Sequence, residues 1–254
     1  MFHLIEQKIK DKIIKTAIEL LEDESLRRSL WNAVKKTPPT DDYSTPYASL
    51  RISDKLFEIA TYETAKYVME NLISSAQVFN YKKDMLRFFA SEANPDGLFL
   101  EFGVAEGFSV NIIAESISGT VHGFDSFQGL PEDWGPCPSG TFSTNGILPK
   151  VRDNVQLHVG MFEDTLPEFI KHHKEPVSFL HIDSDIYSAA RTVLFTLHEQ
   201  IVSGTIIQFD EYFNYPGWKQ HEYKAFQEFV AEFDLNYSYM GYNDNAFAVT
   251  VRII

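Results

Sequence analysis

Five short apolar runs, separated by helical or loop segments, constrain the fold of this 254-residue chain more than any other feature. They occupy residues 98–104, 120–126, 155–160, 177–183 and 204–210. Apolar runs rich in β-branched and aromatic residues are typical of strands that are buried on both faces of a sheet. Their alternation with longer segments predicts βαβ units, and therefore an α/β fold with a parallel sheet.

The end of the chain follows a different pattern. Residues 236–242 and 246–254 are two further β-rich runs, and only three residues separate them. So short a link cannot contain a crossover, which predicts an antiparallel hairpin. With the five parallel strands, the hairpin gives a mostly parallel seven-stranded sheet of Rossmann-like type, preceded by helices over residues 61–73 and 81–93.

The first fifty residues are expected to form a helical appendage. Apolar side chains recur at helical spacing within residues 4–34, and residues 36–49 contain three prolines without periodicity. We therefore divide the chain into an N-terminal appendage with its linker, residues 1–50, and a main domain, residues 51–254. The appendage is expected to pack against the main domain or a second subunit, which would make a homodimer.

Charge and cysteine content narrow the class of protein. The chain has 22 Lys and Arg against 36 Asp and Glu, a formal net charge of −14, which repels a phosphate backbone and argues against nucleic acid as a partner. Its single cysteine, Cys137, cannot form an internal disulfide, so a reducing cytoplasm is expected. Charges interrupt the N-terminal apolar pattern, so neither a signal peptide nor a membrane span is expected.

The first apolar run leads into a candidate ligand loop. Ligands of open α/β sheets bind beyond the carboxyl ends of the strands, where this chain has Glu101, Gly103, Gly107 and Ser109. Two glycines four residues apart allow a close approach of the backbone to a ligand, although such a pair also occurs in loops that bind nothing. The spacing differs from the GxGxxG of pyrophosphate sites, and the acidic residue favours an ammonium or sulfonium ligand.

The second and third runs end in residues suited to a nucleoside. Asp125, followed by Ser126, can accept both ribose hydroxyl protons, and Phe162 can lie against an adenine face. A solvated strand-end aspartate and a core phenylalanine are the alternative interpretations. Taken together, the three strand ends predict a pocket for an adenosine with a positively charged tail, which is S-adenosylmethionine.

Carboxylates follow the fourth and fifth runs. Asp183, Asp210 and Glu211 are expected to meet beside the cofactor, where several close anions require a cation. Oxygen donors without sulfur favour Mg²⁺, with Mn²⁺ or Ca²⁺ as alternatives. The alternative for Asp183 and Asp210 is that they cap helices or face solvent at strand ends. Asp185 is the better candidate for a helix cap and is a provisional fourth metal ligand. A hydroxyl acceptor would then need a base, and Asp183 or His221 is the candidate.

These motifs resemble the macrocin O-methyltransferase family over residues 61–254. The resemblance lies in the runs LEFGVAEGFS, VHGFDSFQGLPEDW, GMFEDTLP, FLHIDSDIYSAARTVL and FDEYFNYPGWKQHEYKAF. It implies a class I methyltransferase fold, S-adenosylmethionine, Mg²⁺, and a small-molecule hydroxyl acceptor such as a sugar of a natural product or glycan. It also implies Asp183, Asp210 and Glu211 as the metal set, although macrolide-modifying members tend to have aspartate where this chain has Glu211.

Two further segments have predicted roles. Residues 134–150 form a long Gly/Pro/Ser-rich insert, predicted to be a lid, and residues 212–223 are an aromatic tract that suits either a sugar ring or internal packing.

The alternative functions are a nicotinamide-dependent oxidoreductase or epimerase, and a protein that binds S-adenosylmethionine without catalysis.

Overall fold

The computed structural model describes residues 51–254 of the chain. The helices predicted within residues 4–34 and the linker at 36–49 lie outside the described residues. Residues 56–254 form one compact unit. Among the helices of the described part, none is both long and apolar enough to cross a membrane.

One eight-stranded sheet organises this part of the chain. Its strands are β1 (Gln77–Phe79), β2 (Leu98–Phe102), β3 (Val121–Asp125), β4 (Val155–Val159), β5 (Val177–Ile182), β6 (Ile206–Phe209), β7 (Tyr237–Asn243) and β8 (Val249–Ile253). They lie in the order β1-β7-β8-β6-β5-β2-β3-β4. Only β8 is antiparallel to its neighbours, β6 and β7, and all other pairs are parallel. The predicted α/β fold and its C-terminal antiparallel hairpin are therefore confirmed.

The sheet has one strand more than the seven predicted. Strand β1 is three residues long and pairs in parallel with β7, with Val78 opposite Tyr242. Two of its three side chains are exposed, so it has no continuous apolar run that would reveal it in the sequence. In the hairpin, residues 244–248 connect β7 to β8, a longer link than the sequence indicates.

The helices cover both faces of the sheet. They are α1 (Ile52–Asn71), α2 (Lys82–Glu92), α3 (Phe108–Ser116), α4 (Phe162–His172), α5 (Tyr187–Thr196) and α6 (Glu222–Glu232). Side chains alternate along β2, so Leu100 and Phe102 pack in one core with α4, α5 and α6, while Phe99 packs in the other with α2 and α3. Glu101 lies on the same face as Phe99. The parallel strands β2, β3, β5 and β6 bring their carboxyl ends to one edge.

Candidate active site

A cavity of about 1180 Å³ opens at the carboxyl edge of the sheet. Its wall contains eight of the predicted site residues: Gly103, Ser109, Asp125, Ser126, Phe162, Asp183, Asp210 and Glu211. The wall does not contain the other three, Glu101, Gly107 and His221. The structure thus brings most, but not all, of the predicted residues to one place.

The glycine turn after β2 is packed tightly against the end of β5. Gly103 has a φ of +96°, and a Cβ atom there would lie 1.8 Å from the carbonyl oxygen of Asp183. Gly107, with a φ of +81°, precedes the first residue of α3, and a Cβ atom there would lie 2.9 Å from Pro149. Both positions require glycine, because a side chain is disfavoured by the backbone angle and has no space.

Asp125 holds the glycine turn in place. Its Oδ2 accepts hydrogen bonds of 2.8 Å from the backbone N–H groups of Val104 and Ala105, and its Oδ1 accepts one of 2.6 Å from Phe127. A carboxylate oxygen has more than one acceptor position, so the same side chain can also accept hydroxyl protons from a ligand in the cavity. Phe162, at the start of α4, contacts Phe102 edge to face at 5.2 Å and also lines the cavity.

Two overlapping groups of ligand atoms lie beside the turn. The first, here called the Glu211 group, consists of Asp183, Asp185 and Glu211, whose carboxylate oxygens lie within 4.8 Å of one another. Burial and neighbouring carboxylates raise the pKa of Asp183 and of Glu211 well above the ordinary range, and burial raises the pKa of Asp185 to about 7. A cation among these oxygens would favour their ionised forms.

The second group consists of His181, Asp183 and Asp210, and here it is called the Asp210 group. The Lys82 ammonium forms an ion pair with Asp210, and His181 Nε2 lies 3.9 Å from the same carboxylate. Burial would raise the pKa of Asp210, but these two cations lower it to about 2. Burial would likewise lower the pKa of His181, but Asp210 and Glu101 raise it to about 10.

Glu101 belongs to the interior of the sheet. It lies opposite His181 in the β2–β5 register, and its Oε1 accepts a 2.8 Å hydrogen bond from His181 Nδ1. The side chain is fully buried, and it does not reach the cavity wall. Glu101 therefore fixes the charge and orientation of His181 behind the site.

Glu222 connects the ends of β5 and β6. It is the first residue of α6 and is fully buried. Its Oε1 accepts hydrogen bonds of 3.2 Å from the backbone N–H groups of Ser184 and Asp185, and its Oε2 accepts one of 3.0 Å from that of Glu211. Burial raises the pKa of Glu222 to about 8. Glu222 therefore links the segment after β5, which contains Asp185, to the segment after β6, which contains Glu211.

Three residues of this network, Lys82, His181 and Glu222, are absent from the sequence predictions. His181 could have been found, because it lies at the end of the apolar run only two residues before Asp183, where the period-two alternation of a strand predicts the same side of the sheet. Lys82 begins a helix that precedes the first predicted strand, and Glu222 begins a helix after the fifth. No local sequence pattern identifies Lys82 or Glu222 as a site residue, because only tertiary packing brings these side chains close to the carboxylates.

His221 and the aromatic tract lie beside the cavity. His221 is half-buried, stacks on Tyr215 at 6.0 Å and precedes α6, and burial lowers its pKa. Tyr212, Tyr215 and Trp218 are buried in the core and are not part of the cavity wall. Of the two interpretations of this tract, the structure supports internal packing.

The insert between β3 and β4 forms one side of the cavity. Residues 126–154 contain no helix and no named strand, which confirms the predicted loop at residues 134–150. Glu132 accepts a 2.7 Å hydrogen bond from Ser188, and Trp134 contacts Tyr215 edge to face at 5.8 Å.

Residues 100–212 match the model of a family described as a methyltransferase domain. No curated protein sequence matches the chain. Among solved structures, a calicheamicin methyltransferase, CalS11, is 17% identical with a TM-score of 0.53, over 85% of this chain and 98% of that one. The O-methyltransferase NovP is 19% identical with a TM-score of 0.50, over 67% of this chain and 78% of that one.

These comparisons indicate a methyltransferase domain with the fold described above. The matched region begins within β2 and ends just after Glu211, so it includes the glycine turn, Asp125 and both acidic groups. The two solved structures share the fold, with its Rossmann-like parallel sheet and antiparallel C-terminal hairpin. Membership of the macrocin family stays a prediction from the sequence.

Proposed function

We propose that the protein is an S-adenosylmethionine-dependent O-methyltransferase whose acceptor is a hydroxyl of a small molecule, such as a sugar, a glycan or a natural-product precursor. The proposal depends most on one observation, the direct contact of the glycine turn with the backbone of Asp183 in a single cavity. A cofactor seated on the turn would present its reactive end beside the buried carboxylates. The methyltransferase domain match and the names of the two solved neighbours support this reaction.

The cavity fits S-adenosylmethionine together with an acceptor. Asp125 offers oxygens for the ribose, Phe162 offers an aromatic edge to the adenine, and Gly103 and Gly107 allow the backbone to approach the methionine end. Pockets for one small ligand are typically about 300–1,000 Å³. The volume of about 1180 Å³ therefore leaves room for a second molecule.

The carboxylates fit a divalent metal such as Mg²⁺. The donors are hard oxygens, and the buried Oε2 of Glu211 has no hydrogen-bond partner among the described residues. Asp183 and Glu211 would hold the metal, with Asp210, as the sequence predicts, or Asp185 as the third ligand. When bound, the metal would acidify the acceptor hydroxyl and fix its direction.

The chain's own residues then have distinct roles in the transfer. The acceptor oxygen bonds to the methyl carbon as the carbon–sulfur bond breaks, and the hydroxyl proton must go to a base. Asp183 is the preferred base, because its carboxylate lines the cavity beside the glycine turn, where the acceptor hydroxyl would meet the cofactor. His221, the other candidate, lies outside the cavity wall. The insert excludes water with apolar side chains such as Ile147 and Leu148.

Calorimetry with S-adenosylmethionine and with NAD tests the cofactor. We expect S-adenosylmethionine and its demethylated product to bind, NAD to give no heat, and Asp125→Ala to weaken binding. Tight NAD binding without any response to S-adenosylmethionine would instead indicate an oxidoreductase. Labelled methyl transfer to a panel of hydroxylated acceptors then tests catalysis, and binding without transfer to any acceptor would favour a non-catalytic protein.

A further inference from the structure

Asp210 is already held by two cationic side chains. The Lys82 ammonium, from the first residue of α2, pairs with Asp210 Oδ2, and His181 from β5 lies near Oδ1. The side chain of Asp210 is only 7% exposed, whereas that of Lys82 is 42% exposed and lines the cavity. Both residues line the cavity, and one carboxylate oxygen of Asp210 is already paired with the ammonium.

Glu211 has the opposite surroundings. Its residue is 6% exposed, and its Oε2 has no hydrogen-bond partner within residues 51–254. One of its oxygens lies within 4.8 Å of oxygens from both Asp183 and Asp185. The Lys82 ammonium forms its ion pair with Asp210 and interacts with Glu211 only at longer range. An unpartnered buried carboxylate oxygen beside two other carboxylates is stabilised either by protonation or by a cation, and a cation satisfies all three side chains at once.

The two adjacent acids belong to different groups. Asp210 and Glu211 directly follow β6, where the chain bends. Asp210 is in the group with His181, and Glu211 is in the group with Asp185. Asp183 is common to both groups.

We propose that Asp210 is not a metal ligand in this chain, and that the divalent metal is bound by Asp183, Asp185 and Glu211. Lys82 and His181 keep Asp210 in an internal ion-pair network, in which Lys82 is a positioning residue. This inference rests on the metal site of the proposed function and changes its membership, because the sequence pattern assigns Asp210 to the metal and leaves Asp185 between metal ligation and helix capping. The positive φ of Asp185, 62°, turns its carboxylate into the Glu211 group.

A titration of the full-length protein with Mn²⁺ tests the inference without an activity assay. Binding is measured as the loss of the electron paramagnetic resonance signal of the free ion. The charge-balanced double variant K82M/D210N removes the ion pair, and we expect Mn²⁺ affinity within about threefold of wild type. Asp185→Asn should weaken Mn²⁺ binding by about tenfold or more. Asparagine tolerates the positive φ, so this variant tests ligation and not backbone strain.

Lys83→Met is the matched control, since Lys83 also lines the cavity but has no ion pair with the cluster, and its Mn²⁺ affinity should equal that of wild type. Thermal unfolding and S-adenosylmethionine binding verify that each variant is folded. A tenfold loss of Mn²⁺ affinity in K82M/D210N, or unchanged affinity in Asp185→Asn, overturns the inference.

The failure of this inference can be separated from the failure of the proposed function. Wild-type protein that binds no Mn²⁺ but methylates an acceptor in the presence of a chelator overturns the metal set and leaves the methyltransferase intact. Protein that binds Mn²⁺ but not S-adenosylmethionine overturns the proposed function, while the variants still decide which carboxylates bind the metal.

Discussion

At the scale of single residues, position relative to the strands decides what each acid does. Asp183 and Glu211 face the cavity with few compensating cations, whereas Asp210 is neutralised by Lys82. Glu101 has the same side-chain chemistry but lies before the strand end, so its partner is buried within the sheet. Identical functional groups thus differ in proton affinity because of their neighbours.

Replacing the preferred base should separate chemistry from binding. We expect Asp183→Asn to lower kcat by about 10²–10⁴-fold, because the acceptor proton loses its destination, while calorimetry finds S-adenosylmethionine affinity little changed. His221→Asn is the comparison, and its kcat should stay within a few-fold of wild type. Near-normal turnover in Asp183→Asn would remove Asp183 from the mechanism.

The contact at Gly103 should be sensitive to a single methyl group. Gly103→Ala is expected to lower the free energy of unfolding by more than about 1 kcal/mol, because the added Cβ meets the Asp183 carbonyl at a positive φ. Gly204→Ala has a φ of +100° with open space around the Cβ, so it reports the backbone strain alone. Chemical denaturation of both variants measures the difference, and equal losses would show that the contact is unimportant.

At the scale of elements, the sequence predicts what depends on local pattern. The five parallel strands, the hairpin and the insert follow from apolar runs and turn residues, and the carboxylates at strand ends follow from the strands. The pattern misses β1, whose three residues include two exposed ones, and it misses Lys82, which reaches the cluster from α2. Such contacts depend on how helices pack on the sheet, which periodicity does not encode.

Three elements meet at a buried histidine cluster that should limit acid stability. His122 of β3 contacts His158 of β4 at 3.1 Å and the ring of His173, which follows α4. Burial, reinforced by these neighbours, lowers the pKa of His122 from 6.5 to about 4. The unfolded chain therefore binds a proton more tightly than the folded protein does, and stability is lost as pH falls from about 6.5 towards 4.

Replacing His122 with glutamine should remove part of that loss. We expect His122→Gln to reduce the decline in unfolding free energy across this range by about 2 kcal/mol, measured by urea denaturation at several pH values. His172→Gln changes an exposed histidine of α4 and should retain the wild-type pH dependence. If the unfolding free energy of His122→Gln declined with falling pH as steeply as that of wild type, His122 would not be the cause of the decline.

The insert should respond to the cofactor if it is a lid. We expect S-adenosylhomocysteine to slow chymotrypsin cleavage after Phe142, because this side chain is exposed and lines the cavity. Cleavage after Phe57, an exposed residue of α1, is the internal control and should keep its rate. Equal rates at all sites with and without ligand would show that the insert does not close.

At the scale of the whole molecule, the buried carboxylates of the candidate site connect the net negative charge to the stability of the fold. The net charge of −14 disfavours compactness, and ionisation of the buried Asp183 and Glu211, whose pKa values are raised by burial, adds to that cost. An appendage over residues 1–50, a homodimer and a cytoplasmic location stay predictions from the sequence. The structure shows the order of the strands, by contrast, and this order brings the carboxylates that follow β5 and β6 together at the carboxyl edge of the sheet.

Mg²⁺ should therefore stabilise the entire fold. At a concentration of about 100 times its Kd, a ligand that binds only the folded state adds about 2.7 kcal/mol. We expect Mg²⁺ to raise Tm by several degrees in wild type and not in Glu211→Gln, with NaCl of equal ionic strength as the control. An equal rise in both proteins would indicate non-specific screening.

The insert's hydrogen bonds have an evolutionary consequence. Leu130 bonds with Gly140 and Thr141, and Trp134 with Cys137, so much of the loop's bonding is to itself. A surface segment of this kind tolerates changes of length and composition at little cost to the sheet. Under the proposed function, changes confined to this loop would alter which acceptor binds while the residues around Asp183 stay the same.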